Sequence, residues 1–146
     1  MIRWFFIRRD LLDALMTVGN NSPNKEVCGI ITGTITDDKK LTFAHTLYEV
    51  PNIADSNMQY IDYMMEPKIM YKILEKTTLI NKDSDEDFIA IWHTRPNGAP
   101  IPSDVDLKRA TYNVVYLIYS PILQEVRAYN FDKKNNRFNE IVLQVL

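Results

Sequence analysis

The chain has 146 residues, 46% hydrophobic and 25% charged, with a formal net charge of −2 and a pI near 5.7. That length carries a proper core in one domain over residues 1–146. The balance of charge gives no electrostatic footprint for nucleic acid, and the single Cys28 excludes an internal disulfide and fits a reducing, cytoplasmic setting. No apolar run reaches the roughly 18–20 residues of a membrane span. Arg3, Arg8, Arg9, Asp10 and Asp13 break up the apolar start, so it reads as mature structure rather than a signal peptide.

Taken in order, Ile2 to Ile7 reads as a short strand, and Arg8 to Val18 as a helix with Leu11, Leu12, Leu15 and Val18 at helical spacing. Gly19 to Asn24 makes a turn. Glu26 to Ile35 and Leu41 to Val50 form two strands around a hairpin tip at Asp37 to Lys40. Pro51 to Asn57 is loop. Glu66 to Ile80 reads as a second helix, with Ile69, Met70, Ile73 and Leu74 on one face. Asn81 to Asp87 reads as a solvated acidic turn. Three closing strands follow at Val114 to Tyr119, Leu123 to Phe131 and Phe138 to Val145. Helices inserted in a β-rich chain imply an α+β or α/β layer fold. Cys28 reads as a buried core thiol, His45 as structural, and Trp92 and the tyrosines as packing.

The stretch from Phe88 to Asp106 carries the chemistry. Phe88 to Trp92 is a buried strand that runs into His93-Thr94-Arg95-Pro96. Side chains two apart on a strand share a face, so His93 and Arg95 point the same way. Pro96, Asn97, Gly98, Pro100 and Pro102 enforce a loop. Ser103 then has the position of an N-cap, with Asp106 in the first turn of a helix reaching about Tyr112. A polar cluster therefore sits where a buried strand gives way to a helix start, the usual place for a site in α/β architecture. Read singly, each residue has a plainer role. His93 could simply hydrogen-bond at a strand end, Asp106 could serve the helix dipole, and Ser103 could be only a cap.

Together they resemble the JAMM (MPN+) metalloprotease motif, which runs His-Ser/Thr-His-Pro, a loop, then Ser-x-x-Asp, with a Glu upstream. His93, Thr94, Pro96, Ser103 and Asp106 are in register. Glu26, in Glu-Val-Cys-Gly, looks like the upstream Glu of prokaryotic members. Pro51 to Ala54 and Tyr60 to Asp62 resemble the same branch. The resemblance implies the MPN fold, a curved mixed β-sheet flanked by helices and related to the cytidine deaminase fold. It implies zinc held by His93, Asp106 and the residue at position 95. Glu26 would be the general base on metal-bound water, and Ser103 the hydroxyl that stabilises the oxyanion. The implied reaction is hydrolysis of a peptide or isopeptide bond in the tail of a ubiquitin-like or sulfur-carrier protein, with the tail expected to add to a sheet edge.

Position 95 departs from that motif, because arginine has no lone pair to give a metal. Zinc with two imidazoles and one carboxylate carries about +1, whereas zinc with Arg95 and Asp106 carries about +2 and has one ligand fewer. Without metal, Arg95 is expected to pair with Asp106 or Glu26. Zinc is therefore expected to bind weakly or not at all. Arg95 is compatible with an inherited loss or an introduced change. Two readings follow: a JAMM-like metallopeptidase disabled at Arg95, or a catalytically inert MPN-type binding or assembly module, including a phage tail-assembly role.

Overall fold

A computed structural model describes residues 1–146. In chain order the elements are β1 (Trp4–Ile7), α1 (Arg9–Asn20), β2 (Cys28–Ile35), β3 (Leu41–Val50), α2 (Pro67–Leu74), β4 (Asp87–Thr94), α3 (Asp104–Arg109), β5 (Val115–Ser120), β6 (Glu125–Asp132) and β7 (Arg137–Val145). The α+β expectation holds, and the sheet is mixed. β1 pairs in parallel with both β3 and β7, and β4 with β5; the other neighbours are antiparallel.

The curvature goes further than the sequence suggested. The order β1-β3-β2-β4-β5-β6-β7 closes on itself through β1. β1 spans only Leu41, Thr42 and Phe43 of β3. From Ala44 onward β3 therefore has a strand on its β2 side alone. A tail that added as a strand would find its free edge there.

Alternation along the strands sorts side chains to two faces. Ile31 and Trp92 join Phe5, Ile7, Leu117 and the α1 residues Leu12 and Leu15 in one cluster. Ile30 and Ile91 turn the other way, toward Tyr116 and the α2 residues Ile73 and Leu74. Each buried leucine or isoleucine contributes about 1.5–3 kcal/mol. Gly29 has a steric reason, since a Cβ there would lie 1.8 Å from the Tyr48 carbonyl oxygen and 2.5 Å from Trp92 Nε1. That indole N–H donates to the same carbonyl at 3.0 Å, so a bare backbone lets Trp92 lock β4 to β3.

Several boundaries differ from expectation. The second helix stops at Leu74 rather than Ile80, because Thr77 Oγ1 donates to the Leu74 carbonyl at 2.7 Å and Thr78 N to Glu86 O at 2.8 Å, turning the chain into β4. The third stops at Arg109 rather than Tyr112; Ala110 is extended, and Tyr112 packs edge-on to Phe88 at 5.2 Å. β6 begins at Glu125 because Gln124 turns with φ 55. The acidic turn is not wholly solvated at its end. Asp87 lies in β4 and accepts from Ile35 N at 3.2 Å and Thr78 Oγ1 at 2.6 Å. Glu86 accepts from Thr32 Oγ1 at 3.2 Å and pairs with His45 at 2.8 Å.

Candidate metal centre

His93 is the next-to-last residue of β4, paired with Cys28 across β2 and with Ile118 across β5. Thr94 fastens the strand end to the segment that carries Glu26. Its backbone N–H donates to Val27 O at 2.9 Å, and its Oγ1 accepts from Val27 N at 3.0 Å. Glu26 was expected in strand, but β2 starts at Cys28. The backbone of Glu26 is held by the loop instead, with its N–H on Gln59 O at 2.6 Å and its carbonyl accepting from Asn52 Nδ2 at 2.9 Å.

Asp106 arrives from the other side. Ser103 caps α3 as the spacing predicted: its Oγ accepts from Asp106 N at 3.1 Å, and its own N–H donates to Asp106 Oδ2 at 2.8 Å. This reciprocal box fixes the carboxylate rotamer. The same Oδ2 lies 3.3 Å from His93 Nε2. Ligand atoms of Glu26, His93 and Asp106 all lie within 4.8 Å of one another. The three residues are buried, at 4%, 1% and 8% exposure.

Burial sets the electrostatics. It pushes the Glu26 carboxyl up to about 7, with the nearby His93 opposing and Asp106 and Asp62 reinforcing the rise. Burial works against charging His93, but the Asp106 carboxylate overcomes it and raises the imidazole above its ordinary value. In turn, burial works against ionising Asp106, and His93 with the Ser103 hydrogen bonds overcomes it and lowers the carboxyl. Glu26 Oε1 and His93 Nδ1 are buried without a hydrogen-bond partner. Such orphaned atoms are uncommon and mark a place where a further group would be satisfied. Cys28, by contrast, is a plain core thiol pushed up to about 12 by burial, its Sγ donating to Val50 O at 3.4 Å.

Arg95 does not form the expected ion pair with Asp106 or Glu26. Its Nη1 donates to the Ile101 carbonyl. Asp106 Oδ2 is engaged by His93 and the helix cap, Glu26 Oε1 is left without a partner, and the guanidinium turns along the loop. Its charge still reaches the site and makes a minor contribution against the rise of both Glu26 and His93.

The residues present do not make the zinc set of two imidazoles and one carboxylate. Zinc donors at about 2.0–2.3 Å sit roughly 3–4 Å from each other, a spacing these three could reach. To complete three ligands, however, Glu26 would have to bind the ion, and the base implied by the resemblance would be lost. The guanidinium adds positive charge beside the cation.

Sequence reasoning did not single out the residues that wire the site together. Tyr63 stacks on the His93 ring, centroids 4.5 Å apart and planes 23° from parallel. Asp62 pairs with Arg109, one turn beyond Asp106, at 2.8 Å. Asn52 bridges Glu26 O and Asp62 O. The Asn52 and Asp62 positions lay inside the resembling segments, which was the available signal; the Tyr63 stack has no sequence signature.

Residues 8–132 match the family described as prokaryotic homologs of the JAB domain. A desampylase from Haloferax volcanii is 33% identical over 100 residues, 68% of this chain and 65% of that protein, so the match spans just under two thirds of the relative's length. A solution structure from Desulfitobacterium hafniense superposes with a TM-score of 0.78 at 16% identity, covering 97% of this chain and 92% of that one. Another from Salinibacter ruber gives 0.68 at 20% identity, covering 96% and 90%. At those identities the two structures speak for the fold alone.

Proposed function

The chain belongs to the prokaryotic homologs of the JAB domain, and we propose that its site is an isopeptidase-type centre for the tail of a ubiquitin-like or sulfur-carrier protein, held at low zinc occupancy by Arg95. The observation that carries this is the convergence of Glu26, His93 and Asp106 within 4.8 Å while a guanidinium stands at position 95. The family and the desampylase relative support a hydrolase of isopeptidase type.

In this reading His93 and Asp106 are the surviving ligand positions, and Glu26 holds and releases the proton. A carboxyl at about 7 is poised for that work near neutral pH. Ser103 Oγ already accepts from Asp106 N, which leaves its own proton to donate to a developing oxyanion. Tyr63 and the cap orient the imidazole and the carboxylate. One observation favours the second reading, an inert binding or assembly module: the three site residues are nearly closed off from solvent.

Arg95→His tests the proposal. After dialysis against a mild chelator, the unaltered chain is expected to retain well under one zinc, and the variant about one. The variant is then expected to cleave a ubiquitin-like protein carrying a short C-terminal extension. Stoichiometric zinc retained by the unaltered chain would overturn the role given to Arg95. A variant that still binds no zinc would overturn the site assignment, and the inert module would take its place.

A further inference from the structure

Arg95 is a cation without a carboxylate. It forms no ion pair, and its one side-chain hydrogen bond is Nη1 to the Ile101 carbonyl. A guanidinium offers five donors in a planar fork, so most of that fork has no protein acceptor. It lines a cavity of about 600 Å³ together with Ala99, Ile101, Pro102, Ser103, Asp104 and Val105. Ser103 belongs to both this cavity and the buried cluster, through its bonds with Asp106. The cavity therefore adjoins the place where a tail would end.

We propose that Arg95 and this cavity form a recognition subsite for the free C-terminal carboxylate of an extended peptide tail. It rests on the tail-binding reading above and deepens it. As the chain stands, the site would hold a finished, processed tail rather than a continuing chain.

The chemistry selects one class of anion. A planar guanidinium matches a planar carboxylate through two parallel N–H···O bonds. The cavity contains one cation and also the acidic Asp104, so a monoanion suits it better than a phosphate of charge near −2. Ala99, Ile101, Pro102 and Val105 give the cavity an apolar lining against which the last residues of a tail can pack. The Ser103 hydroxyl has a proton to give, and a carboxylate oxygen would accept it.

The test uses the whole chain with chelator present, so that no metal holds the carboxylate. Fluorescence anisotropy would follow a labelled eight-residue peptide ending in Gly-Gly, as free acid and as C-terminal amide. A third peptide, amide-capped with an internal Asp, separates a terminal carboxylate from a side-chain one. Inorganic phosphate and acetate serve as competitors. The free acid is expected to bind at least about tenfold tighter than the amide, the scale of one charged hydrogen-bonded contact. That gap should narrow at high salt. Arg95→Ala should remove the gap and Arg95→Lys should keep part of it. The acid–amide comparison needs no variant, so a folding defect in Arg95→Ala cannot decide the matter.

Equal binding of acid and amide overturns the subsite while leaving the tail reading intact. Equal binding of the internal-Asp peptide and the free acid, or stronger displacement by phosphate than by acetate, overturns the choice of ligand. Absence of binding by every peptide overturns the subsite. Together with an Arg95→His variant that takes up no zinc, it would also overturn the tail reading.

Discussion

Replacing Glu26 by Gln should stabilise the protein above neutral pH and not below pH 4.5. The carboxyl rises from an ordinary 4.5 to about 7 on folding, chiefly through burial. Between those values the folded state binds more protons than the unfolded chain, so unfolding becomes easier as pH rises. The shift is about 2.5 pH units, the difference of those two values. At about 1.4 kcal/mol per unit, that is on the order of 3 kcal/mol lost by pH 8. Gln is close to isosteric and carries no charge, so it escapes the penalty. The difference in unfolding free energy between variant and parent should be flat below pH 4.5, climb through pH 7 and level off near 3 kcal/mol. For a domain of this size that corresponds to roughly 6–12 °C in melting temperature. Urea titrations at pH 4 to 8 with chelator present would measure it. His93, raised, contributes stability that is lost as pH climbs through its folded value. Asp106, lowered, contributes stability that is lost as pH falls. Both remain in the variant, and the subtraction cancels them to first order. A difference that does not change with pH would refute the claim that burial governs Glu26.

Arg109→Ala strands the buried Asp62 carboxylate. The variant should lose about 2 kcal/mol, less than a fully buried pair because Arg109 is half-exposed; urea unfolding with no change would count against the clasp. Gly29→Ala forces a methyl into the Tyr48 carbonyl and the Trp92 indole. It should cost at least about 3 kcal/mol, visible as a lowered melting temperature, and a neutral outcome would show that β2 and β3 can separate freely. Cys28, buried and pushed up to about 12, should resist a thiol reagent at pH 8 until the protein is unfolded; rapid labelling of the native chain would show that the strand end opens.

The sequence by itself determined the local chemistry. Apolar runs and turn residues placed β3 at its observed bounds, and the other strands to within a few residues. The spacing of Ser103 and Asp106 sufficed for the capping box, because that box is a contact between near neighbours in sequence. His93 was legible as the end of a buried strand for the same reason. Tertiary structure decided what depends on residues far apart in the chain. It closed the strands into a ring through β1, which joins β3 to β7, strands far apart in the sequence. It buried Glu26 beside a histidine 67 positions later by zipping Val27 to Thr94, and so raised its carboxyl. It also sent Arg95 to a loop carbonyl rather than to an acid, although Glu26 Oε1 has no partner and only Oδ2 of Asp106 is engaged, by His93 and the cap. A pattern of residue types specifies which partners are chemically possible; only the assembled chain decides which of them come within reach.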